Sequence, residues 1–349
     1  MTTDVCAGAV WPRRADVRDA VAPLWHDGTL GMLQLTVDQV FAGELPDAFV
    51  SVLDEAAAAG RLVGHGVMAS PYTSPRDAVA RGWIRRARAA VERWPVRWLT
   101  DHVGCARVGD WQAAPLPLPA SRRLVSLVRD HLAWLADELQ VPVGLENLAL
   151  AASRADVLHQ PDLVDAMLEP DGVLLLDLHN LWCGAHNQGL DPVALLERWP
   201  LHRVKQLHIA GGSWDGDLRR DTHDGPVPDE VWQLLPDALA RCPNLEVVVW
   251  ERLRGTVEAV EPLQAELRRL RAVVGEPGPV RAAAGLPQAP PWPELDPVAV
   301  QQALYAAARA DERSQLEAVA PGWWVDERSW RAAVDVTQQW GRPVPVARP

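Results

Sequence analysis

Short apolar runs rich in Val, Leu and Ile recur along the chain at 5–10, 31–37, 61–65, 96–101, 141–146, 172–177, 203–209 and 245–250. Between them lie stretches rich in Ala, Arg, Glu and Leu, and 47–59, 120–139 and 228–241 repeat apolar positions at helical spacing. Continuous apolar runs suit strands buried on both faces, which is what a parallel sheet requires. Eight strand–helix alternations without a strong internal repeat predict an α/β fold, a closed (β/α)₈ TIM barrel more than an open doubly wound sheet.

The pattern changes near residue 275. Residues 276–296 are dense in Pro, with Gly and Ala, and read as a linker or an extended wrap over the surface. Beyond them, 297–311 reads as a helix with Asp296 as N-cap and Pro297 at its first position. A second helix over 326–340 ends at Arg342-Pro343. The expected organisation is a barrel over 1–275, a linker over 276–296 and a small helical segment over 297–349 that contacts a partner or a peptide. Trp323, Trp324 and Trp330 there suit the core of a tiny lobe better than an exposed docking patch.

Composition narrows the setting. A chain of 349 residues holds a barrel of roughly 250 residues with a remainder. Hydrophobic content of 48% and charged content of 23% are those of an ordinary soluble globular protein, and a net charge of −12 argues against a nucleic-acid partner. Cys6, Cys105, Cys183 and Cys242 form no C-x-x-C pair, so zinc ribbons and thioredoxin-type motifs are not indicated. With no secretory signal at the start and no apolar run of roughly 20 residues, the expectation is free thiols, no membrane and a cytoplasmic location.

The chemistry lies where the apolar runs stop. The third ends at His65, the fourth at Asp101-His102, the fifth at Glu146-Asn147 and the sixth at Asp177, followed by His179 and Asn180. The seventh ends at His208, with Asp221 and His223 in the loop behind it, and the eighth at Glu251. A single His at a strand end is more often a hydrogen-bonded structural residue, while Asp-x-His at 177–179 or 221–223 either brings two ligands to one ion from an extended turn or serves equally as turn chemistry. In a TIM barrel, however, all C-terminal strand ends meet at one mouth. Four carboxylates gathered there repel one another unless cations sit among them. Imidazole and carboxylate without thiolate suit iron, manganese or zinc, and structural zinc is disfavoured. Arg219 and Arg220 are candidates to hold a substrate carboxylate bidentately, against the blander reading of two solvated loop arginines. Trp182 and Trp214 flank ligand motifs, as pocket walls or as core.

These residues carry a resemblance. The chain resembles the multinuclear non-heme iron-dependent oxidases over roughly residues 5–270. The shared blocks are His-Gly-Val-x-x-Ser at 65–70, Asp-His at 101–102, Pro-Leu-Pro-Leu-Pro at 115–119 and Leu-Glu-Asn at 145–147. Leu-Leu-Leu-Asp-Leu-His-Asn at 174–180, Asn-x-Gly at 187–189, His-x-Ala-Gly at 208–211, Asp-Thr-His at 221–223 and Glu251 complete them. The resemblance implies two or three irons, mixed Fe(II)/Fe(III), with dioxygen as co-substrate. The implied activity is oxidation of a ribosomally made precursor peptide, at cysteine or near its C-terminus, beside a leader-peptide-binding partner. It implies ligand roles for His65, His102, Glu146, Asp177, His208, Asp221, His223 and Glu251, with His179 as ligand or supporting group. Asp101, Asn147 and Asn180 are expected as ligands or as groups that orient them, and Asp177, His208 and Arg220 as the catalytic residues. The family often shows acidic residues after the second strand, where this chain has Gln34 and Asp38, and another His after His-x-Ala-Gly, where Gly212 and Ser213 follow here. Two other classes remain open: a divalent-metal barrel of the xylose-isomerase or endonuclease-IV type, and a non-catalytic peptide-binding scaffold.

Overall fold

The computed structural model describes residues 5–41, 43–73, 76–276 and 278–344. Residues 1–4 of the expected barrel segment, residue 277 of the linker and 345–349 of the C-terminal segment lie outside the described residues. In chain order the strands are β1 (Cys6–Val10), β2 (Met32–Thr36), β3 (Leu62–His65), β4 (Leu99–His102), β5 (Cys105–Val108), β6 (Trp111–Leu116) and β7 (Val143–Glu146). They continue as β8 (Val173–Asp177), β9 (Val204–Ala210), β10 (Trp214–Asp215), β11 (Leu218–Arg219), β12 (Val247–Glu251) and β13 (Arg342–Pro343). Eight close a barrel in the order β1–β12–β9–β8–β7–β4–β3–β2, parallel at every pairing.

The apolar runs become these strands because both faces are covered, one by the barrel interior and the other by the helical ring. β2, β8 and β12 are buried at every residue. The helix Arg122–Leu139 shows how the outer layer is held. Ser121 Oγ accepts from Leu124 N at 3.2 Å as N-cap, and Leu124, Val128, Leu132, Leu135 and Leu139 form the buried stripe. Gly144 is required where β7 meets β8, since a Cβ there would lie 2.0 Å from the Val173 carbonyl oxygen.

Three features escape the apolar pattern. The hairpin β5–β6 follows β4, the short pair β10–β11 follows β9, and a helix at Ser314–Val319 joins the two C-terminal helices. Each is short and only partly apolar, so no periodic run announces it. The C-terminal helices form as the sequence suggests, at Pro297–Ala310 and Glu327–Trp340, and Asp296 Oδ1 accepts from Val298 N at 3.0 Å.

This C-terminal segment packs on the mouth of the barrel. β13 pairs antiparallel with β6. Tyr305 donates its hydroxyl proton to the Cys105 carbonyl at 2.7 Å, and Gln301 donates to the Tyr72 carbonyl. Arg328 reaches Asp217 at 2.8 Å and the Asn187 carbonyl at 3.0 Å. Trp324 and Trp330 are buried and stack edge-on, ring centroids 5.5 Å apart, inside the lobe. Residues 278–296 run between barrel and lobe with no helix or strand.

Leu304 is fully buried and belongs to the same apolar cluster as Leu174 and Leu207 of the barrel. Leu304→Ala is therefore expected to lower unfolding stability by roughly 2–5 kcal/mol. Denaturant unfolding should still show one transition; two separate transitions would mean that the lobe folds apart from the barrel.

Candidate metal centre

The strand ends do meet. His65, His102, Glu146, Asp177 and Glu251 are the last residues of β3, β4, β7, β8 and β12. His208 differs from the expectation, because β9 runs on through Ile209 to Ala210 and places His208 beside Asp177 and Val249 inside the sheet. All six side chains are buried or nearly so.

Glu146 is the hub. One carboxylate oxygen lies 3.1 Å from His65 Nε2 and 3.2 Å from His102 Nε2, while the other lies 3.4 Å from His208 Nδ1. His208 Nδ1 also lies 3.0 Å from Glu251 and 3.7 Å from Asp177. Two groups of ligand atoms follow, each within 4.8 Å of one another: His65, His102 and Glu146, and Glu146, Asp177, His208 and Glu251. A third gathering surrounds Asp221 Oδ1, which lies 2.7 Å from His223 Nε2 and 3.1 Å from His179 Nδ1. His223 Nε2 approaches Glu251 at 3.8 Å and so connects this group to the second.

Neither Asp-x-His triplet sits on an extended turn. Asp177 is the N-cap of the helix Leu178–Gln188, its Oδ1 accepting from Asn180 N at 2.8 Å, and His179 lies in the first helical turn facing Asp221. Asp177 and His179 therefore serve different groups. His223 has φ +52°, unusual for a non-glycine residue, and its carbonyl accepts from Leu253 N at 3.1 Å and Arg254 N at 2.9 Å.

The supporting residues fix these positions. Asn147 joins the ends of β7 and β8, accepting from Asp177 N at 2.7 Å and donating to the Asp177 carbonyl at 2.9 Å. Asn180 donates to the Asn147 carbonyl at 3.0 Å. Asp101 accepts from Ala69 N at 2.9 Å and Asp38 from Val67 N at 2.8 Å, and together they pin the loop after His65. Arg220 pairs with Asp215 and Asp335, each at 3.3 Å. At Gly212 a Cβ would fall 2.1 Å from the Arg220 carbonyl oxygen, so the backbone here leaves no room for the histidine often found at that point.

Sequence reasoning missed the residues that set the His208 ring. Trp98 Nε1, a donor only, donates to Gln206 Oε1 at 2.8 Å, so the Gln206 amide nitrogen faces inward. That nitrogen donates to Gln34 Oε1, which lies 2.7 Å from His208 Nε2. The Gln206 amide nitrogen also lies 2.9 Å from His208 Nε2, so the two amides together fix the ring and turn Nδ1 toward the carboxylates. The signal available in the sequence was Gln206 two residues before His208, on the same face of an apolar strand. Thr100 does the same for His65, its hydroxyl lying 3.0 Å from Nδ1.

The donor set fits metal. Glu146 Oε2, Asp177 Oδ2, His208 Nδ1 and His223 Nε2 are buried without a hydrogen bond. Leaving such atoms unpaired away from water is costly, and a cation among them relieves the cost. Protons fill part of that role in the metal-free protein. His102 is pushed up to about 9: burial opposes its charge, and Glu146 and Asp101 outweigh burial. His223 is pushed up to about 10, with Asp221 and Glu251 outweighing burial. Burial, Asp221 and Glu146 raise Asp177 to about 7. Burial opposes the charge of Glu146, yet His102 and His65 hold its carboxyl well below the usual range.

The centre opens into a cavity of about 830 Å³. His65, His102, Asp221, His223 and Glu251 lie on its floor side, and Ser329, Ala332, Val336 and Trp340 of the C-terminal helix form part of its wall.

A closed parallel barrel with a buried His/Asp/Glu cluster at its mouth is a metal-dependent enzyme scaffold. Residues 26–275 match the family described as RiPP precursor modification enzyme MbnB/TglH/ChrH, and the chain belongs to that family. Its membership implies a metal-dependent enzyme whose substrate is a precursor peptide. A UPF0276 protein of Caulobacter vibrioides is 33% identical over 211 residues, 60% of this chain and 74% of that protein. A UPF0276 protein of Pseudomonas aeruginosa is 34% identical over 191 residues, 54% of this chain and 66% of that one. The fold is similar to a xylose isomerase domain protein from Planctomyces limnophilus, with TM-score 0.51, 13% identity and coverage of 79% of this chain and 99% of that one. Among the described residues no helix is long and apolar enough to cross a membrane.

A histidine whose folded pKa is raised stabilises the fold fully only below its unfolded value, about 6.5, and loses that contribution as pH rises through the folded value. For His102 that value is about 9, and Asp177 loses its contribution by about 7 in the same direction. The metal-free protein is therefore expected to melt at progressively lower temperature from pH 6 to pH 9, and metal-loaded protein to show a flatter profile. A metal-free melting temperature that is flat or rises over that range would contradict this electrostatic picture. Independently, Gln34→Leu is expected to weaken metal binding about 10–100-fold, while Gln34→Glu, which keeps an acceptor, loses much less.

Proposed function

We propose that the chain is an iron- and dioxygen-dependent oxidase that modifies a ribosomally synthesised precursor peptide at a cysteine or near its C-terminus. The observation that carries this reading is Glu146, one buried carboxylate shared by two ligand groups, in a chain of this family. His65, His102 and Glu146 would hold one iron, Glu146, Asp177, His208 and Glu251 a second, and His179, Asp221 and His223 a third. Bound iron would supply one-electron redox chemistry, with dioxygen as co-substrate.

The remaining residues orient and enclose. Trp98, Gln206 and Gln34 fix the His208 ring and leave Nδ1 turned to the centre for ligation. Asp38 and Asp101 hold the loop at 66–70 against the mouth. The helix Glu327–Trp340 walls the cavity and excludes water from one side of it. Arg220, tied to that helix through Asp335, braces the loop that carries Asp221 at the reacting centre. In this reading 1–275 is the catalytic barrel, 276–296 a linker and 297–349 a segment that contacts the peptide or a leader-binding partner.

Protein purified without dioxygen is expected to carry two to three irons per chain on the reading above and to take up dioxygen when a precursor peptide substrate is added. Glu146→Ala should lose metal from two groups at once and His65→Ala from one. Metal analysis that finds only zinc or manganese, with turnover in the absence of dioxygen, would favour a xylose-isomerase-type reaction instead.

A further inference from the structure

Arg219 is the cation that the loop behind β9 leaves without a counterion. Its side chain is 6% exposed and lines the cavity. On β11 it stands directly across from Trp214 of β10, and its guanidinium packs 5.1 Å from the Trp214 ring and 5.3 Å from the Trp182 ring. The backbone beneath is clamped on both sides: Arg219 N donates to Asn187 Oδ1 at 2.8 Å, and Asn187 Nδ2 donates to the Arg219 carbonyl at 2.9 Å. Backbone and guanidinium are thus positioned before any ligand arrives.

What is absent is an acceptor. Among the described residues no side-chain hydrogen bond or ion pair involves Arg219, and its Nε is buried without a partner. The carboxylates around it are engaged elsewhere. Asp215 and Asp335 pair with Arg220, Asp217 with Arg328, and Asp221 with His179 and His223. Indole faces compensate a guanidinium by about 0.5–2 kcal/mol but satisfy none of its N–H donors. A chain with 46 acidic residues that still leaves this fork open, at the wall of the cavity above the His, Asp and Glu cluster, holds the position for an anion from outside.

We propose that Arg219 is a carboxylate-binding subsite of the cavity, gripping a carboxylate of the peptide substrate through its guanidinium fork while Trp182 and Trp214 pack against the guanidinium. Of the two adjacent arginines, Arg220 is a structural brace and Arg219 the ligand-facing residue. The proposal rests on the peptide-modifying reading above. It is specific to carboxylate because the planar fork matches its two oxygens. The carboxylate comes from the peptide's C-terminus or from an Asp or Glu side chain.

Three probes separate those sources on the iron-loaded full chain, kept without dioxygen: acetyl-Gly-Gly with a free C-terminus, the same compound as its C-terminal amide, and acetyl-Asp-Gly amide. Calorimetric titration is expected to show at least about tenfold tighter binding for one or both carboxylate probes than for the neutral amide. The better of the two names the source. Arg219→Gln should abolish the difference with iron content unchanged, and Arg219→Lys, which keeps charge but not the fork, should retain only part of it. Equal binding of the three probes to wild type, or discrimination that survives in Arg219→Gln, overturns the proposal. If Arg219→Gln does not fold, the wild-type comparison and Arg219→Lys decide on their own. Iron content and dioxygen uptake are read on the same samples, so failure of the oxidase reading and failure of the subsite are told apart.

Discussion

Like charges gathered away from water are the constraint around which this molecule is arranged. Glu146, Asp177, Asp221 and Glu251 are brought together at one end of a barrel, with His65, His102, His179, His208 and His223 among them. Taking an ionised carboxylate out of water costs several kcal/mol even after relaxation, so the cluster exists only with cations to neutralise it. Protons on imidazole do this weakly and at the cost of pH sensitivity, whereas divalent or trivalent metal does it with open coordination positions to spare. The rest of the barrel supplies what such a centre needs, a rigid frame in which no ligand can turn away.

That rigidity is visible in how many ligands are tethered through their second atom. His208 is held through Nε2, His65 through Nδ1, Asp177 through the oxygen that caps a helix, and the β7 and β8 ends are stitched by Asn147. Each tether consumes the hydrogen-bonding capacity that does not face the centre and leaves the inward atom as the one without a partner. The unpaired atoms are thus the complement of the pairing, and they point at one another.

The sequence revealed the parts of this that depend on periodicity. Eight apolar runs, each stopped by an ionisable residue, are enough to read a barrel and its mouth, because strand burial and strand termination are local in sequence. It did not reveal what depends on partners far apart in the chain. Gln34 and His208 are 174 residues apart and Trp98 and Gln206 are 108 apart, and an amide inside an apolar run carries no mark of what it will bond. The triplet at 177–179 misled for a related reason. Two-residue spacing suggests two ligands for one ion in an extended chain, but Asp177 begins a helix, and the turn sends His179 toward Asp221. The hairpin β5–β6 was hidden because its pairing with β13 joins residues more than 200 apart in sequence.

The departures from the family pattern follow the same logic of local replacement. Gln34 carries no charge but sets an amide oxygen 2.7 Å from His208 Nε2, so an uncharged side chain suffices to hold the ring. At Gly212 the backbone leaves no room for a side chain, with the Arg220 carbonyl oxygen 2.1 Å from where a Cβ would stand. The same closure carries the chain from β10 to β11, where Asn187 fixes Arg219 and the C-terminal helix meets Arg220 through Asp335. Ser213, Leu218, Arg219 and Arg220 therefore line the cavity beside the His, Asp and Glu cluster. A protein can change what it admits by altering such a wall, since the charge balance of the centre constrains the ligands far more tightly than it constrains the loop above them.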